Sequence, residues 1–204
     1  KGVTEERVQL MKDNNVPDWY IESCQRIKYM FPRAHAVAYV MMSYRIAWFK
    51  VYYPVPFYAA YFTTKVADFN SEVVLKGSGA ILARIDEILA KGKNATKKEE
   101  DEMTVLEVAY EMYSRGYEFE PINFGVSDGT KFYEHEGRVL LPFMAVSGIG
   151  ETAAKALADE CRIRPFETIE ELKSRTRISN SNIESLKAMG VLEGMPETDQ
   201  LSMF

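Results

Sequence analysis

Apolar positions recur at helical spacing along most of this chain, and the breaks between those runs mark out its elements. Thr4 has the chemistry of an N-cap for a short helix to about Lys12, and Asn14-Asn15 interrupts it. Pro17 suits the first turn of a second helix reaching about Met30, which Phe31-Pro32 ends. Residues 34–51, AHAVAYVMMSYRIAWFKV, are apolar nearly all round, the pattern of a buried helix, and Pro54 stops them. Residues 55–66 read as another helix, rich in small and aromatic side chains. Ser71 opens a helix to about Lys91 that Gly77 and Gly79 weaken in the middle and Gly92 closes. Thr96 with Glu99 spells a capping box; Met103, Leu106, Ala109, Met112 and Tyr113 follow at helical spacing, and Gly116 ends the run. Residues 117–141 change character: Ser127-Asp128-Gly129 and Glu136-Gly137 are turn signals among short β-like runs, KFYEH and RVLLP. After Pro142 the chain returns to short helices.

Charge refines this picture. The net charge is −5, yet residues 1–65 carry 9 basic and 5 acidic side chains, residues 66–136 carry 8 and 15, and residues 137–204 carry 8 and 10. No Asp or Glu occurs between Cys24 and Ala67, a stretch holding Arg26, Lys28, Arg33, Arg45, Lys50, Lys65 and 12 aromatic residues. Cations interleaved with aromatics suit a surface that follows phosphates and stacks bases; they equally suit an aromatic core over which lysines and arginines snorkel. The acidic run Glu99–Glu102 reads as a solvated first helical turn favoured by the helix dipole. Cys24 and Cys161 have no metal-ligand spacing and read as two reduced thiols of a cytosolic protein. No signal peptide is visible, and the longest uncharged run, residues 51–64, is shorter than the roughly 20 residues a bilayer span needs. A chain starting at Lys1 instead of Met suggests a processed protein or an excised piece.

Catalytic chemistry is hard to find. Only His35 and His135 occur, so no HExxH and no histidine-rich metal site can form. KGSGA at 76–80 lies inside a helical pattern and lacks the preceding strand of a phosphate loop. Two-metal phosphoryl transfer needs carboxylates on rigid strands, and no strand-borne Asp pair is apparent. The chain alone is expected to catalyse nothing and to hold no metal.

Residues 142–158, PFMAVSGIGETAAKALA, match the hairpin and second helix of a helix-hairpin-helix element. Gly148 and Gly150 permit positive φ and leave the backbone bare around Ser147 and Ile149, so N–H groups can approach a phosphate. The helix starting near Glu151 points its positive end at the same place. Ala154 and Leu157 supply a packing face; Glu151 is unhelpful to an anion, and Lys155 one turn on offsets it. Such an element binds duplex backbone without reading sequence; the competing reading is an αα-turn that binds protein. A second, degraded copy follows, with Thr168/Glu171 and Ser181/Glu184 as caps, RISNSN as its hairpin and Gly190 at its end, expected to brace the first copy. The terminal QLSMF at 200–204 concentrates Leu201, Met203 and Phe204 after a polar, Gly- and Pro-bearing stretch that reads as a flexible tether, with a tail folded back on its own domain as the competing reading.

Residues 31–62 strongly resemble the fingers of C-family bacterial replicative polymerases, in the pattern F-P/N-x-x-H-A-x-x-Y, R/T-x-A-W/Y-F/L-K and P-x-x-[FY]-x-A. The SGIG hairpin stands where that family has a tandem helix-hairpin-helix region, and QLSMF is similar to its Q-L-[S/D]-L-F sliding-clamp peptide. The order looks like the C-terminal piece of a PolC-type DNA polymerase III alpha subunit. The family's palm carboxylates, PHP domain and exonuclease are not in this sequence.

The resemblance implies a mainly α fold: rear fingers over 1–65, a small α/β connector with a short β-hairpin over 66–141, a tandem helix-hairpin-helix over 142–192 and a flexible clamp-binding tail over 193–204. It implies that Ser147, Gly148, Ile149, Gly150 and Lys155 meet double-stranded primer-template DNA. Arg33, His35, Ala36, Tyr39, Arg45 and Lys50 would lie near the nascent base pair and the incoming deoxynucleotide. Gln200, Leu201, Met203 and Phe204 would bind the beta sliding clamp. The parent enzyme would be a DNA-directed DNA polymerase that needs Mg2+, in the cytoplasm on the nucleoid, with the remaining domains of the parent as further partners. Two other readings of the residues stand beside it: a hairpin module of a DNA-repair glycosylase or nuclease, and a non-catalytic protein-binding adaptor.

Overall fold

The computed structural model describes residues 3–26, 33–176 and 178–198. The chain divides into two compact units, residues 1–48 and 49–204. The first contains α1 (Glu5–Asp13), α2 (Asp18–Arg26) and most of α3 (Arg33–Tyr52), whose last four residues belong to the second. Thr4 precedes α1, although its hydroxyl makes no capping bond, and Asn15 turns the chain at φ 56°. Ile21 and Cys24 are the buried residues of α2.

Burial of the apolar run at 34–51 does not occur. It forms a helix, but no residue of α3 is buried; Tyr44 is 75% exposed and Val40 67%. An all-round apolar pattern says that a helix seeks cover on every side, whereas burial needs a second surface that the run itself does not encode.

In the second unit, α4 (Pro54–Thr64) starts with Pro54 in its first turn and buries Val55, Tyr58, Ala59 and Phe62, one helical stripe. The long helix expected from Ser71 is two helices, α5 (Ser71–Val74) and α6 (Ser78–Lys91). Gly77 separates them at φ 90°, a conformation that only glycine adopts cheaply. α7 (Lys97–Ser114) has the expected capping box: the Thr96 hydroxyl accepts from the Glu99 N–H, and the Glu99 carboxylate accepts from the Thr96 N–H. Ile81, Ile85 and Ile88 of α6 and Val105, Leu106, Ala109 and Met112 of α7 are buried in the same core.

The β-like runs become a small sheet. β1 (Phe119–Glu120), β2 (Tyr133–His135) and β3 (Arg138–Leu140) lie in the order β1-β3-β2, with β1 parallel and β2 antiparallel to β3. Positive φ at both Glu136 and Gly137 makes a type I′ hairpin turn. β1 is an addition to the expected hairpin. Its two residues are too few to show a period of two in the sequence.

The loop from β1 to β2 then fastens the chain that leads onward. Ser127 is buried, and its hydroxyl donates to the Leu141 carbonyl at 2.8 Å. The Asp128 carboxylate accepts from the Thr130 and Lys131 N–H groups at 2.8 and 3.1 Å, an Asx turn. The carbonyls of Asp128 and Gly129 accept from the N–H groups of Phe143 and Met144 at 3.0 and 2.9 Å. α8 (Glu151–Ile163), α9 (Ile169–Thr176) and α10 (Asn180–Ala188) complete the unit.

The second-copy caps are partly relocated. The Thr168 hydroxyl accepts from the Glu171 N–H, but the Glu171 carboxylate reaches the Glu167 N–H at 2.9 Å. α10 is capped by Ser179 with Asn182, not Ser181 with Glu184; Asn182 at the third helical position reciprocates just as a Glu would. The polar stretch before the terminal peptide is not free over its first residues. Leu192 is buried, and the carbonyls of Pro196 and Glu197 accept from the Ile169 and Glu170 N–H groups at 2.9 and 3.0 Å, satisfying the first turn of α9. Lys187 holds Glu197 at 2.7 Å.

Gly129 is the tightest point of the unit. A Cβ there would lie 2.9 Å from the Lys155 Cα and 3.0 Å from the Ala154 carbonyl, both backbone atoms of α8 that cannot swing aside. Gly129→Ala is expected to destabilise the fold by about 1–3 kcal/mol through overpacking. Gly79→Ala, in the first turn of α6 with open space around its Cβ, should stabilise by up to about 1 kcal/mol. Thermal denaturation of the two variants checks the opposite signs.

Candidate nucleic-acid interface

The hairpin at 147–150 is built from a short stem. Its first limb is a single 3₁₀ turn, Phe143–Ala145, with Phe143 and Ala145 buried. Ile149 is also buried and its N–H donates to the Val146 carbonyl at 3.1 Å, so the loop is pinned to the core by its own middle residue. Ala154, Leu157 and Ala158 anchor α8 on its inner face. Ser147, Gly148 and Gly150 remain exposed.

The two glycines are there for different reasons. Gly148 has φ 83°, and its turn demands glycine. Gly150 has φ −75° and ψ 165°, ordinary extended backbone that any residue adopts, and a Cβ built on it meets nothing within 4 Å. Neither conformation nor internal packing calls for glycine at position 150. It is the N-cap of α8, and no side chain caps the first-turn N–H groups behind it. The result is an open, uncapped helix start carrying partial positive charge.

Side-chain charge adds little to it. Lys155 is bound to Glu151 at 2.5 Å, which raises the ammonium's pKa and lowers the carboxyl's. Arg162 lies 3.1 Å from Asp159 and 3.3 Å from Asp128. Arg175 sits over the Phe166 ring at 4.3 Å and bonds Glu160 and Glu171, each at 3.1 Å; Arg164 also pairs with Glu171. These four cations of the segment are already matched by carboxylates.

Beside the hairpin is a cleft of about 710 Å³. Met144–Gly150 form one wall, and Asp68, Glu72, Glu99 and Glu102 with Arg84 stand on the others. Burial pushes the Glu102 carboxyl up, but a two-pronged bond from Arg84 at 2.9 and 3.2 Å and one from Asn70 at 2.7 Å outweigh it and hold it below the usual range. Lys91 at 2.6 Å and the Thr96 N–H hold Glu99 down to about 2. Glu99 and Glu102 therefore form a clasp between α6 and α7, while Glu100 of the same run stays exposed in the first turn of α7, as expected. The cleft is lined by these four carboxylates against Arg84 and Lys98, and Ser147, Gly148 and Gly150 border it.

On α3, Arg33, His35, Ala36 and Tyr39 occupy the first two turns, and all are exposed. His35 and Tyr39, one turn apart, meet edge to face at 4.4 Å between ring centres. Arg45 lies past the middle of the helix, not near its start, and its direction is about a third of a turn away from the His35–Tyr39 stripe. Lys50, in the second unit, holds Glu111 at 3.0 Å and lies over the Phe57 and Tyr58 rings. It belongs to a network that no sequence pattern announced: Tyr58 donates to Glu111 at 2.6 Å and accepts from Arg115 at 2.9 Å. Burial, then the Glu111 bond, pushes the Tyr58 phenol up to about 12. Gln200, Leu201, Met203 and Phe204 lie outside the described residues. Cys24 and Cys161 are both free thiols. No helix among the described residues is long and apolar enough to cross a membrane.

Residues 116–201 match a family described as a helix-hairpin-helix motif. The whole chain is similar to proteins named DNA polymerase III PolC-type: 53% identical to that of Caldanaerobacter subterraneus subsp. tengcongensis, 48% to that of Clostridium perfringens and 45% to that of Bacillus subtilis. The chain spans about one seventh of these relatives, 14–15% of their length. Among the described residues no three His, Cys, Asp or Glu side chains gather as metal ligands, so a donor set for the magnesium ions implied by the resemblance is not found there.

The clasp gives the fold a pH dependence of known sign. Glu99 and Glu102 have folded pKa values below their ordinary 4.5. Their contribution to stability is present above that value and is lost as pH falls through the folded values. Melting temperatures should drop between pH 4.5 and about 2, and Glu102→Gln should flatten part of that drop while lowering stability at pH 7. Circular-dichroism melts across this range check both.

Proposed function

We propose, from the chain's place as a segment of the PolC-type DNA polymerase III family, that it is the duplex-gripping part of a replicative DNA polymerase. Ser147, Gly148, Ile149, Gly150 and Lys155 accept the phosphate backbone of primer-template DNA. Arg33, His35, Ala36, Tyr39, Arg45 and Lys50 serve the nascent base pair and the incoming deoxynucleotide, and Gln200, Leu201, Met203 and Phe204 tether the chain to the beta sliding clamp. Nucleotide transfer and its Mg2+ ions belong to other parts of the parent, so this chain alone synthesises no DNA. The apolar faces of α3 meet the parent's remaining domains, and the whole works in the cytoplasm on the nucleoid.

The observation that carries the duplex reading is Gly150, a glycine that neither φ nor crowding explains, at the uncapped start of α8. Glycine is a common N-cap, and a bare Cα at this uncapped helix start also admits close approach of an external group to the backbone. Backbone N–H groups and a helix dipole bind phosphate with no sequence preference.

Gly150→Val should stay folded, with a melting temperature lowered only as far as a poorer N-cap costs, about 1 kcal/mol, and should weaken binding to a fluorescent duplex several-fold. Because the nearby cations are ion-paired, binding should be weak, with a log–log salt slope of only about −1 to −3. Unchanged affinity in the folded variant would overturn the assignment in favour of a protein-binding turn. For the tail, calorimetry against a cognate sliding clamp should give binding heat with the full chain and none with a chain ending at Asp199. Equal heats, or none from either, would remove the clamp from the reading.

A further inference from the structure

We propose that Asn182, on the degraded second hairpin copy, is a positioning residue that holds the first hairpin in its phosphate-accepting shape; this rests on the reading of Ser147–Gly150 as a duplex-backbone site. Asn182 is buried, at 7% exposure, in a region where an amide must satisfy both of its ends. Its Oδ1 accepts from the Ser179 hydroxyl at 2.6 Å and from the Ser179 N–H at 3.3 Å, while its own N–H donates to the Ser179 hydroxyl at 3.2 Å. Its Nδ2 donates to the carbonyl of Ser147 at 3.3 Å, 35 residues away in the chain. One end of the side chain faces a donor and the other faces an acceptor, so only one orientation of the amide satisfies both. Aspartate could serve the cap but not the carbonyl, and an aliphatic residue could serve neither.

The consequence for the hairpin follows from peptide geometry. The Ser147 carbonyl and the Gly148 N–H belong to one planar trans peptide and point in opposite directions. By drawing the carbonyl inward, Asn182 turns the Gly148 N–H away from α10 and removes an acceptor oxygen from the approach of a phosphate. The same side chain restricts what can stand at position 148: a Cβ there would lie 3.0 Å from the Asn182 Nδ2, on top of the cost of φ 83°. The second copy has lost the glycines of its own hairpin, yet its helix cap is joined to the first copy's loop. The bond is a means by which a degraded repeat contributes to binding without touching the nucleic acid.

Three variants of the full chain separate the bridge from the cap. Asn182→Ala loses the bridge and the amide half of the cap, Asn182→Asp keeps the cap and loses the bridge, and Ser179→Ala loses the hydroxyl half of the cap and keeps the bridge. Melting temperature should follow the cap, falling in Asn182→Ala and Ser179→Ala. Duplex affinity, measured by anisotropy, should follow the bridge, falling about three- to tenfold in both Asn182 variants and staying within about twofold in Ser179→Ala. In 1H–15N spectra the Gly148 amide should move in the two Asn182 variants and stay in Ser179→Ala, a readout that holds even where Asn182→Ala is only partly folded. Affinity that falls with the cap, or loss in Asn182→Asp alone, which would report its charge, overturns the proposal. Wild-type affinity in both Asn182 variants also overturns it and leaves the hairpin reading standing. Absence of duplex binding by the unmutated chain sinks both together.

Discussion

The second unit is organised around the ring of Phe62. It is fully buried and has three other phenylalanines around it: Phe119 at 5.0 Å between ring centres, Phe69 at 5.5 Å and Phe132 at 5.9 Å. These rings come from α4, the turn after it, β1 and the loop before β2, so a single cluster joins helix to sheet. Rings in tilted and edge-on arrangements add roughly 0.5–1.5 kcal/mol per pair beyond the burial of their area. Three-residue strands have few ladder hydrogen bonds of their own, and this sheet depends on the cluster beneath it.

From that base the position of the hairpin follows link by link. Phe132 is tied to α4 a second time, its N–H donating to the Thr63 hydroxyl at 2.9 Å. The loop ahead of it, through Ser127, Asp128 and Gly129, bonds the stem at Leu141, Phe143 and Met144. Gly129 lies against the backbone of α8 from one side, and Asn182 reaches the Ser147 carbonyl from α10. The exposed loop is short and glycine-bearing, but its two ends are held by buried groups. Such support is what a site needs when its ligand is met by backbone N–H groups, which cannot adjust by changing rotamer.

The two helices with the same aromatic flavour behave in opposite ways. α4 and α3 are both apolar with few charges, and the cation-aromatic interleaving of residues 24–67 runs through both. α4 concentrates its large rings on one stripe that the sheet and α7 cover, so the core reading is right there. α3 distributes Val, Met, Tyr and Trp around its whole circumference and buries none of them. An exposed apolar surface of that extent is what interaction surfaces show. Composition alone did not separate the two helices: α4 lies in the core, and α3 is exposed.

Much of the local structure was legible in the sequence because its causes are local. The Thr96–Glu99 box, the Glu136-Gly137 turn, the breaks at Pro54, Gly92 and Gly116 and the hairpin at 147–150 depend on a few adjacent residues whose chemistry allows little else. The C-family resemblance was legible for the same reason: its motifs are contiguous. What only the tertiary structure decided involves groups far apart in sequence. Gly77 divides a helix instead of weakening it. Gly150 keeps an ordinary φ, so its role differs from that of Gly148. Glu102 is drawn out of the solvent by Arg84 and Asn70, and Pro196 and Glu197 close over α9. Asn182 looks like one more polar residue in RISNSN until α10 is packed beside the hairpin. Each of these depends on the free energy of satisfying a buried polar group or filling a buried space, and neither term exists until the chain has folded around it.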